Sequence, residues 1–352
     1  MPKLIRFKDP ADQVRESVET PPQKISIQNK GNFERMVSTG STLLDLAISG
    51  GRVRGGGIPG GIILEIFGPS GAGKTSILCE VCAFAKHRGA EVKFLDPEAR
   101  LDREYFRIYG VELDKKNYEM PNTVNEVFTF IQGWEPAEPP PGIMNIVATD
   151  SLAALTSELE LSEKGDKMGM RIAKDFNAGL RKTCALIRKN NWLIANTNQI
   201  RHGDAGETTP GGMGIPFYSS LRIRVGPPPP GGGDKYLKKT STFKEKQHEK
   251  IVGIHSRCRV VKSTVDDPFR EADIYILFGY GIDDIRANLQ FNKTICGETT
   301  YDAMGKAYKG INDAIKYVEE NKLAKQLREK TIDLWEALNE SFKEKRREKD
   351  RE

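Results

Sequence analysis

Short apolar runs alternate with stretches of helical periodicity along most of the chain. Ile62-Ile63-Leu64-Glu65-Ile66-Phe67, Val92 to Asp96, Ile143 to Thr149, Trp192 to Thr197 and Leu221 to Val225 have strand length and are mostly apolar. Such runs read as strands buried on both faces, the pattern of a parallel sheet. Helical spacing at 43–48, 76–88, 102–110, 123–133 and 171–190 falls between them, and strands at 251–262 and 272–278 close the series. Strands alternating with helices predict an α/β fold with a mainly parallel sheet covered on both faces.

Breaks in this pattern divide the chain. Residues 1–35 mix charges with Pro10, Pro21 and Pro22 and read as an N-terminal arm that serves oligomerisation, because they hold too little apolar surface for a core. Residues 36–280 carry the alternating core. It opens with Ser38-Thr39-Gly40-Ser41-Thr42 as a helix cap and the glycine-rich turns of 49–61. Pro136 to Pro141 and the turn-rich 203–214 read as surface loops. Four consecutive prolines followed by three glycines end at Gly233 and exclude helix or central strand, so the segment after them reads as a mobile hairpin or linker. Helical spacing at 305–315, 319–327 and 331–342 predicts a small C-terminal domain over 281–342, and 343–352 reads as a disordered charged tail.

Composition narrows the class. A chain of 352 residues can bury one large core and small attachments, since single cores stop growing near ~250–300 residues. The formal net charge of +5 permits an anionic partner, and its distribution is uneven: Asp234 to Lys262 holds nine Lys/Arg against three acids. That stretch fits either an anion-binding surface or a solvated loop. Of the five cysteines, Cys79 and Cys82 stand at helical spacing suited to packing, with no further ligands spaced for zinc. No run of ~18 apolar residues and no leader-like N-terminus occurs, so a cytoplasmic protein without a membrane partner is expected.

The chemistry begins at Gly68-Pro69-Ser70-Gly71-Ala72-Gly73-Lys74-Thr75, with Ser76 opening the next helix. This is a complete phosphate loop, and it stands between a strand and a helix, the context that gives the pattern meaning. Its glycines let backbone N–H groups point at a phosphate, Lys74 adds charge, and Thr75 offers a hydroxyl to Mg²⁺. ATP and Mg²⁺ are the expected ligands. Asn145 to Asp150 is an apolar strand that ends in an acid, so Asp150 arrives beside the loop as a metal-orienting carboxylate. Hydrolysis needs a group that polarises water. Glu98, just past the strand ending at Asp96, is the preferred base, and Asp96 is the alternative. Asn198-Gln199 ends another strand, where an amide could touch the γ-phosphate and the following loop.

Taken in order, these stretches resemble the RecA strand-exchange recombinases over about residues 36–345. The likeness extends through Leu101-Asp102, Tyr105, Asp150-Ser151-Leu152, Asn198-Gln199-Ile200-Arg201, Gly211-Gly212, Phe217-Tyr218 and Arg259-Val260-Val261-Lys262. It implies a RecA-like core in which Lys74 and Thr75 bind phosphate and Mg²⁺, Glu98 activates water, Asp102 and Tyr105 flank adenine, Asp150 serves the metal and Gln199 senses the γ-phosphate. Lys262 would reach a neighbouring subunit's nucleotide, and Asp150-Ser151 falls where the family has a cis peptide. The resemblance also implies DNA-binding loops at 157–170 and 200–212. Met168, Gly169, Ile200, Arg201, Gly211 and Gly212 would lie in them, and Arg171, Lys174 and Arg181 on the helix after the first.

The implied function is ATP-dependent homologous recombination: a helical homo-oligomeric filament on single-stranded DNA that pairs a homologous duplex and exchanges strands, in the cytoplasm at the nucleoid. A RecA-fold helicase or regulatory ATPase is the alternative. Thr264 stands where bacterial members have a second lysine, the second loop is shorter than theirs, and the insertion at 226–233 has no clear counterpart.

Overall fold

The structure is a computed structural model that describes residues 31–99, 103–111, 116–158, 168–203 and 206–344. Asp102, most of the first expected DNA loop, residues 1–30 of the arm and the tail from 345 lie outside the described residues.

A ten-stranded sheet organises the rest. Its parallel part runs in the order β10 (Leu221–Gly226), β3 (Ile62–Gly68), β7 (Leu193–Gln199), β6 (Ile146–Thr149), β4 (Val92–Leu95) and β5 (Tyr118–Glu119). On the β10 side, β12 (Lys246–Ser263), β13 (Glu271–Leu277) and β14 (Gly281–Ile282) add antiparallel. Outside this path, β11 (Tyr236–Phe243) pairs with β12. At one edge of the core, β1 (Asn32–Val37) pairs with β2 (Ile58–Gly60), so the end of the segment read as an arm is part of the fold.

The apolar run of β3 shows why two layers form. Every residue of β3 is buried, and successive side chains point to opposite faces. Ile62, Leu64 and Ile66 enter one core with Ile77, Leu78 and Cys82 of α2 (Lys74–His87). The interspersed Ile63 enters a second core with Val127 and Phe128 of α4 (Val124–Gln132) and Phe176 and Leu180 of α5 (Met168–Asn190). Helix α4 starts at a reciprocal cap in which Thr123 accepts from the Glu126 amide and Glu126 from that of Thr123. Helices α1 (Thr42–Ser49) and α3 (Arg103–Ile108) complete this part, with Ser41 capping α1.

Four readings of the chain change. The basic segment after Gly233 is the β11–β12 hairpin, turning at Lys244 and Glu245, both at positive φ, and β12 begins at Lys246 rather than 251. The turn-rich 203–214 opens inside a strand pair, β8 (Arg201–Gly203) and β9 (Gly206–Thr208), and leads into the one-turn helix α6 (Gly214–Tyr218). In the C-terminal part, helix α7 (Asp284–Cys296) was missed because two of its buried positions are Asn288 and Asn292, which break the apolar stripe. The segment expected to open a helix at 305 is instead a hairpin of β15 (Tyr301–Asp302) and β16 (Ala307–Tyr308), with Met304 and Gly305 turning at positive φ. Helices α8 (Ile311–Glu320) and α9 (Ala324–Ser341) follow, and Leu289, Ala303, Ala314, Val318 and Leu327 form the small core they share. Arg54 ties α9 to the main core through Glu329, Asp333 and Glu336 at 2.8–2.9 Å.

Where α4 crosses α5, Gly179 leaves room for the Phe128 ring, and a Cβ there would come within 2.0 Å of it. Helix propensity alone would make Gly179→Ala stabilising by about 1 kcal/mol. Overpacking opposes this and costs about 1–3 kcal/mol. Chemical denaturation should therefore show the variant to be less stable than the parent.

Candidate nucleotide-binding site

The parallel strands deliver their carboxyl ends to one crevice, the place where open α/β sheets hold ligands. Gly68 ends β3, the loop turns, and α2 begins at Lys74. Gly73 has φ of +92°, and a Cβ on it would lie 2.2 Å from Ile276 Cδ1, so backbone conformation and packing both require glycine. Beyond the loop is a cavity of about 380 Å³, with Lys74, Thr75, Glu98, Tyr105, Asp150 and Gln199 in its lining. Ser70, Gly71, Gly73 and Ser76 also line it.

Asp150, one residue beyond β6, holds three elements together. Its carboxylate accepts from Thr75 Oγ1 at 2.7 Å and, on the other oxygen, from the Thr197 hydroxyl of β7. Burial pushes its carboxyl above the ordinary range, opposed by these two hydrogen bonds and reinforced by the nearby Glu98 and Asp96 charges. Burial likewise lowers Lys74 below the ordinary lysine range, against the pull of Asp150 and Glu98, and its Nζ donates to the Pro69 carbonyl at 2.8 Å. A hydroxyl and one carboxylate suit a hard cation that keeps water and phosphate oxygens as its other ligands. Among the described residues no group of three or more His, Cys, Asp or Glu could hold a metal by itself.

Glu98 faces the cavity, and its Oε1 accepts from Ser151 Oγ at 2.8 Å and from Gln199 Nε2 at 3.3 Å. Asp96 differs: it is fully buried at the strand tip, accepts from the Tyr118 hydroxyl at 2.6 Å, and does not line the cavity. Tyr105 OH lies 3.3 Å from Ser76 Oγ, and Tyr109 joins it at 3.4 Å. The peptide between Asp150 and Ser151 is cis.

Some expected residues stand elsewhere. Gly68, Pro69 and Ala72 shape the loop without lining the cavity, and the Ala72 carbonyl accepts from Ser256. Lys262 lies on β12 and donates to the Pro216 and Phe217 carbonyls at 2.8 Å, outside the cavity of its own chain. Sequence reading missed Tyr109, Ile254 and Ile276 to Gly279 at and just past the end of β13, which line the far wall. Tyr109, four residues after Tyr105, carried a helical-spacing signal, whereas the antiparallel strands carried none.

The second expected DNA loop closes against the helix that follows the first. Helix α5 starts at Met168, so Met168 and Gly169 are helical, and Arg171, Lys174 and Arg181 are exposed on it. Gly212, at φ of +71°, packs where a Cβ would sit 2.6 Å from Ala173, and Gly211 lies against Phe176. Packing against α5 therefore explains both glycines. Ile200 and the exposed Arg201 begin the second loop directly after Gln199, and Glu207 on β9 is held by Arg224 of β10 through two bonds of 2.6–2.7 Å.

Loop, crevice and strand-end carboxylate place the chain among the phosphate-loop nucleotide-binding proteins. Within that class, the family model described as RecA N-terminal domain matches residues 23–283. The protein named Protein RecA from Treponema denticola is 34% identical over 317 residues, covering 85% of this chain and 71% of that protein. Those of Symbiobacterium thermophilum and Delftia acidovorans are 34% and 32% identical over 254 residues, 70% of this chain. The chain spans 66% and 63% of their respective lengths. The chain belongs to the RecA family.

Glu65 is the polar residue of β3 and is fully buried. It accepts from Arg222 Nε at 2.6 Å and from Asn198 Nδ2 at 3.0 Å, and Asn198 also donates to the Pro210 carbonyl of the second loop. Glu65→Ala should cost about 3–5 kcal/mol by stranding the Arg222 charge. Removing both charges in Glu65→Leu with Arg222→Met should recover a large part of that loss. Urea denaturation of the two variants checks it: equal losses would mean that the ion pair is not the reason Glu65 is there.

Proposed function

We propose that this RecA-family recombinase is a DNA-stimulated ATPase that forms a helical filament on single-stranded DNA and exchanges strands with a homologous duplex. Lys74 and the loop amides bind the triphosphate of ATP, while Thr75 and Asp150 orient Mg²⁺. The ion, when bound, neutralises phosphate charge. Tyr105 forms part of the wall on which the base rests, with Asp102 as the residue expected beside it. Glu98 orients and deprotonates the attacking water. The observation that carries this reading is the shared Glu98 oxygen: Ser151, next to the metal-orienting acid, and Gln199, next to the second loop, both donate to it.

A γ-phosphate in the cavity offers the Gln199 amide a second acceptor, so nucleotide state alters the start of the loop at Ile200. In the filament, DNA lies along the loops at 157–170 and 200–212, touched by Met168, Gly169, Ile200, Arg201, Gly211 and Gly212, with Arg171, Lys174 and Arg181 contacting phosphates. Exposure of Phe217, next to the carbonyls that hold Lys262, fits an interface through which Lys262 serves a neighbouring copy's nucleotide. The C-terminal domain over 281–342 flanks this core, held to it through Arg54. A protein that acts on DNA in this way is expected in the cytoplasm at the nucleoid, and among the described residues no helix is long and apolar enough to cross a membrane.

The test compares ATP hydrolysis with and without single-stranded DNA in the parent and in Glu98→Gln. The parent should be stimulated by DNA. The variant keeps size and hydrogen bonding, so it should bind ATP and DNA as before while turnover falls about 10²–10⁴-fold, the usual contribution of a positioned base. Turnover at the parental rate would remove Glu98 as the base.

A further inference from the structure

Strand β12 passes behind the phosphate loop, and one of its side chains takes hold of the loop's backbone. The last residue of β10, Gly226, stands opposite Arg257, so the residues of β12 before Arg257 run past the end of β10 on the side of the crevice. Among them Ser256 is buried, and its hydroxyl donates to the Ala72 carbonyl at 2.9 Å. Two residues earlier Ile254 lines the cavity, and its partner across the pair, Ile276 of β13, fills the space that a Cβ on Gly73 would need. Ser256 adds a directional contact to this apolar brace. It does not line the cavity itself.

The loop needs such a contact from outside. Packing and a φ of +92° demand glycine at position 73, yet glycine adopts φ of either sign with little cost. Local sterics therefore leave the peptide between Ala72 and Gly73 free to turn, and no side chain caps α2 at Gly73 to hold it. In a planar trans peptide the carbonyl and the N–H point in opposite directions, so a carbonyl drawn to Ser256 turns the Gly73 N–H away from β12. The same peptide rotated the other way would present an oxygen where an anion site needs a donor. We propose that Ser256 is a positioning residue for nucleotide binding: its hydroxyl holds the peptide between Ala72 and Gly73 in the orientation that gives the phosphates of ATP a backbone donor. It acts through the loop alone.

This role presupposes that the cavity takes ATP, and the experiment tells the two apart. ADP and a non-hydrolysable ATP analogue are titrated onto the parent, Ser256→Ala and Ser256→Thr without DNA. Urea denaturation is followed without nucleotide, and KM and kcat for ATP are measured with single-stranded DNA. Ser256→Ala leaves a buried acceptor without its donor, and its affinity for both nucleotides should fall about 5- to 50-fold. KM should rise by a similar factor while kcat at saturating ATP stays within about twofold of the parent, as when ground-state binding is lost. Ser256→Thr keeps the hydroxyl and should return both affinities to within about threefold of the parent. A hydroxyl that only stabilises the fold would lower the urea midpoint of Ser256→Ala and leave nucleotide affinity at the parental value, and that result would overturn the proposal. So would a loss that Ser256→Thr fails to recover, or a fall in kcat with KM unchanged. Should Ser256→Ala not fold, Ser256→Cys keeps the size with a weak donor, and it must then bind both nucleotides more weakly than the parent and Ser256→Thr. A parent that binds neither nucleotide would overturn this role and the ATP reading together, whereas equal binding by the parent and Ser256→Ala would overturn this role alone.

Discussion

The site depends on the Asp150 carboxylate, which ties the first turn of α2 to the ends of β6 and β7 through Thr75 and Thr197. A phosphate loop has little internal means of fixing its distance from the rest of a crevice. Here that distance is set by one buried group with a hydrogen bond to each side. The carboxylate is costly to bury, and two hydroxyl donors offset part of that cost while leaving it beside the position a cation would take. Because the tie joins adjacent parallel strands, the loop, Glu98 in the turn after β4 and Gln199 at the end of β7 form one rigid rim.

A second buried carboxylate extends this rim to the loop side. Glu65 sits in the middle of the sheet and holds Arg222 on one neighbouring strand and Asn198 on the other. Asn198 in turn reaches Pro210, at the far end of the second loop. The loop is thereby anchored at both ends, by Gln199 at its start and by Pro210, Gly211 and Gly212 against Asn198 and α5 at its close. Anchored ends with a hairpin between them suit a segment that must answer to the nucleotide without detaching from the core. The ion pair between Glu207 and Arg224 adds a third attachment on the β10 side.

Much of this was legible in the sequence, for identifiable reasons. Four of the five central runs announced a parallel sheet because strands buried on both faces show little polar alternation, whereas β10 alternates with Arg222 and Arg224. The phosphate loop and the acid after β6 were legible because their chemistry is local, and the structure brings those side chains together around one cavity. The far wall was not. Ile254 and Ile276 look like any core residues, and only the antiparallel register of β12 and β13 turns them toward the loop. Helix α7 escaped notice since Asn288 and Asn292 occupy buried positions and hydrogen-bond there with Asp284 and Thr331. The prolines and glycines before Asp234 marked a break but could not show that an ordered ribbon follows, because its pairing partner is the next segment of chain and not the core.

The central claim is that one amide, Gln199, couples the nucleotide cavity to the loop that follows it. Linkage makes this measurable, since ATP and DNA must then tighten each other's binding by the same factor. The most direct measurement is DNA affinity at fixed salt with ADP and with a non-hydrolysable ATP analogue, in the parent and in Gln199→Ala. The account predicts that nucleotide affinity without DNA stays near the parental value in the variant, while the enhancement of DNA binding by the ATP analogue shrinks. An enhancement that survives undiminished would mean that the signal reaches DNA by another route and that Gln199 is not the switch.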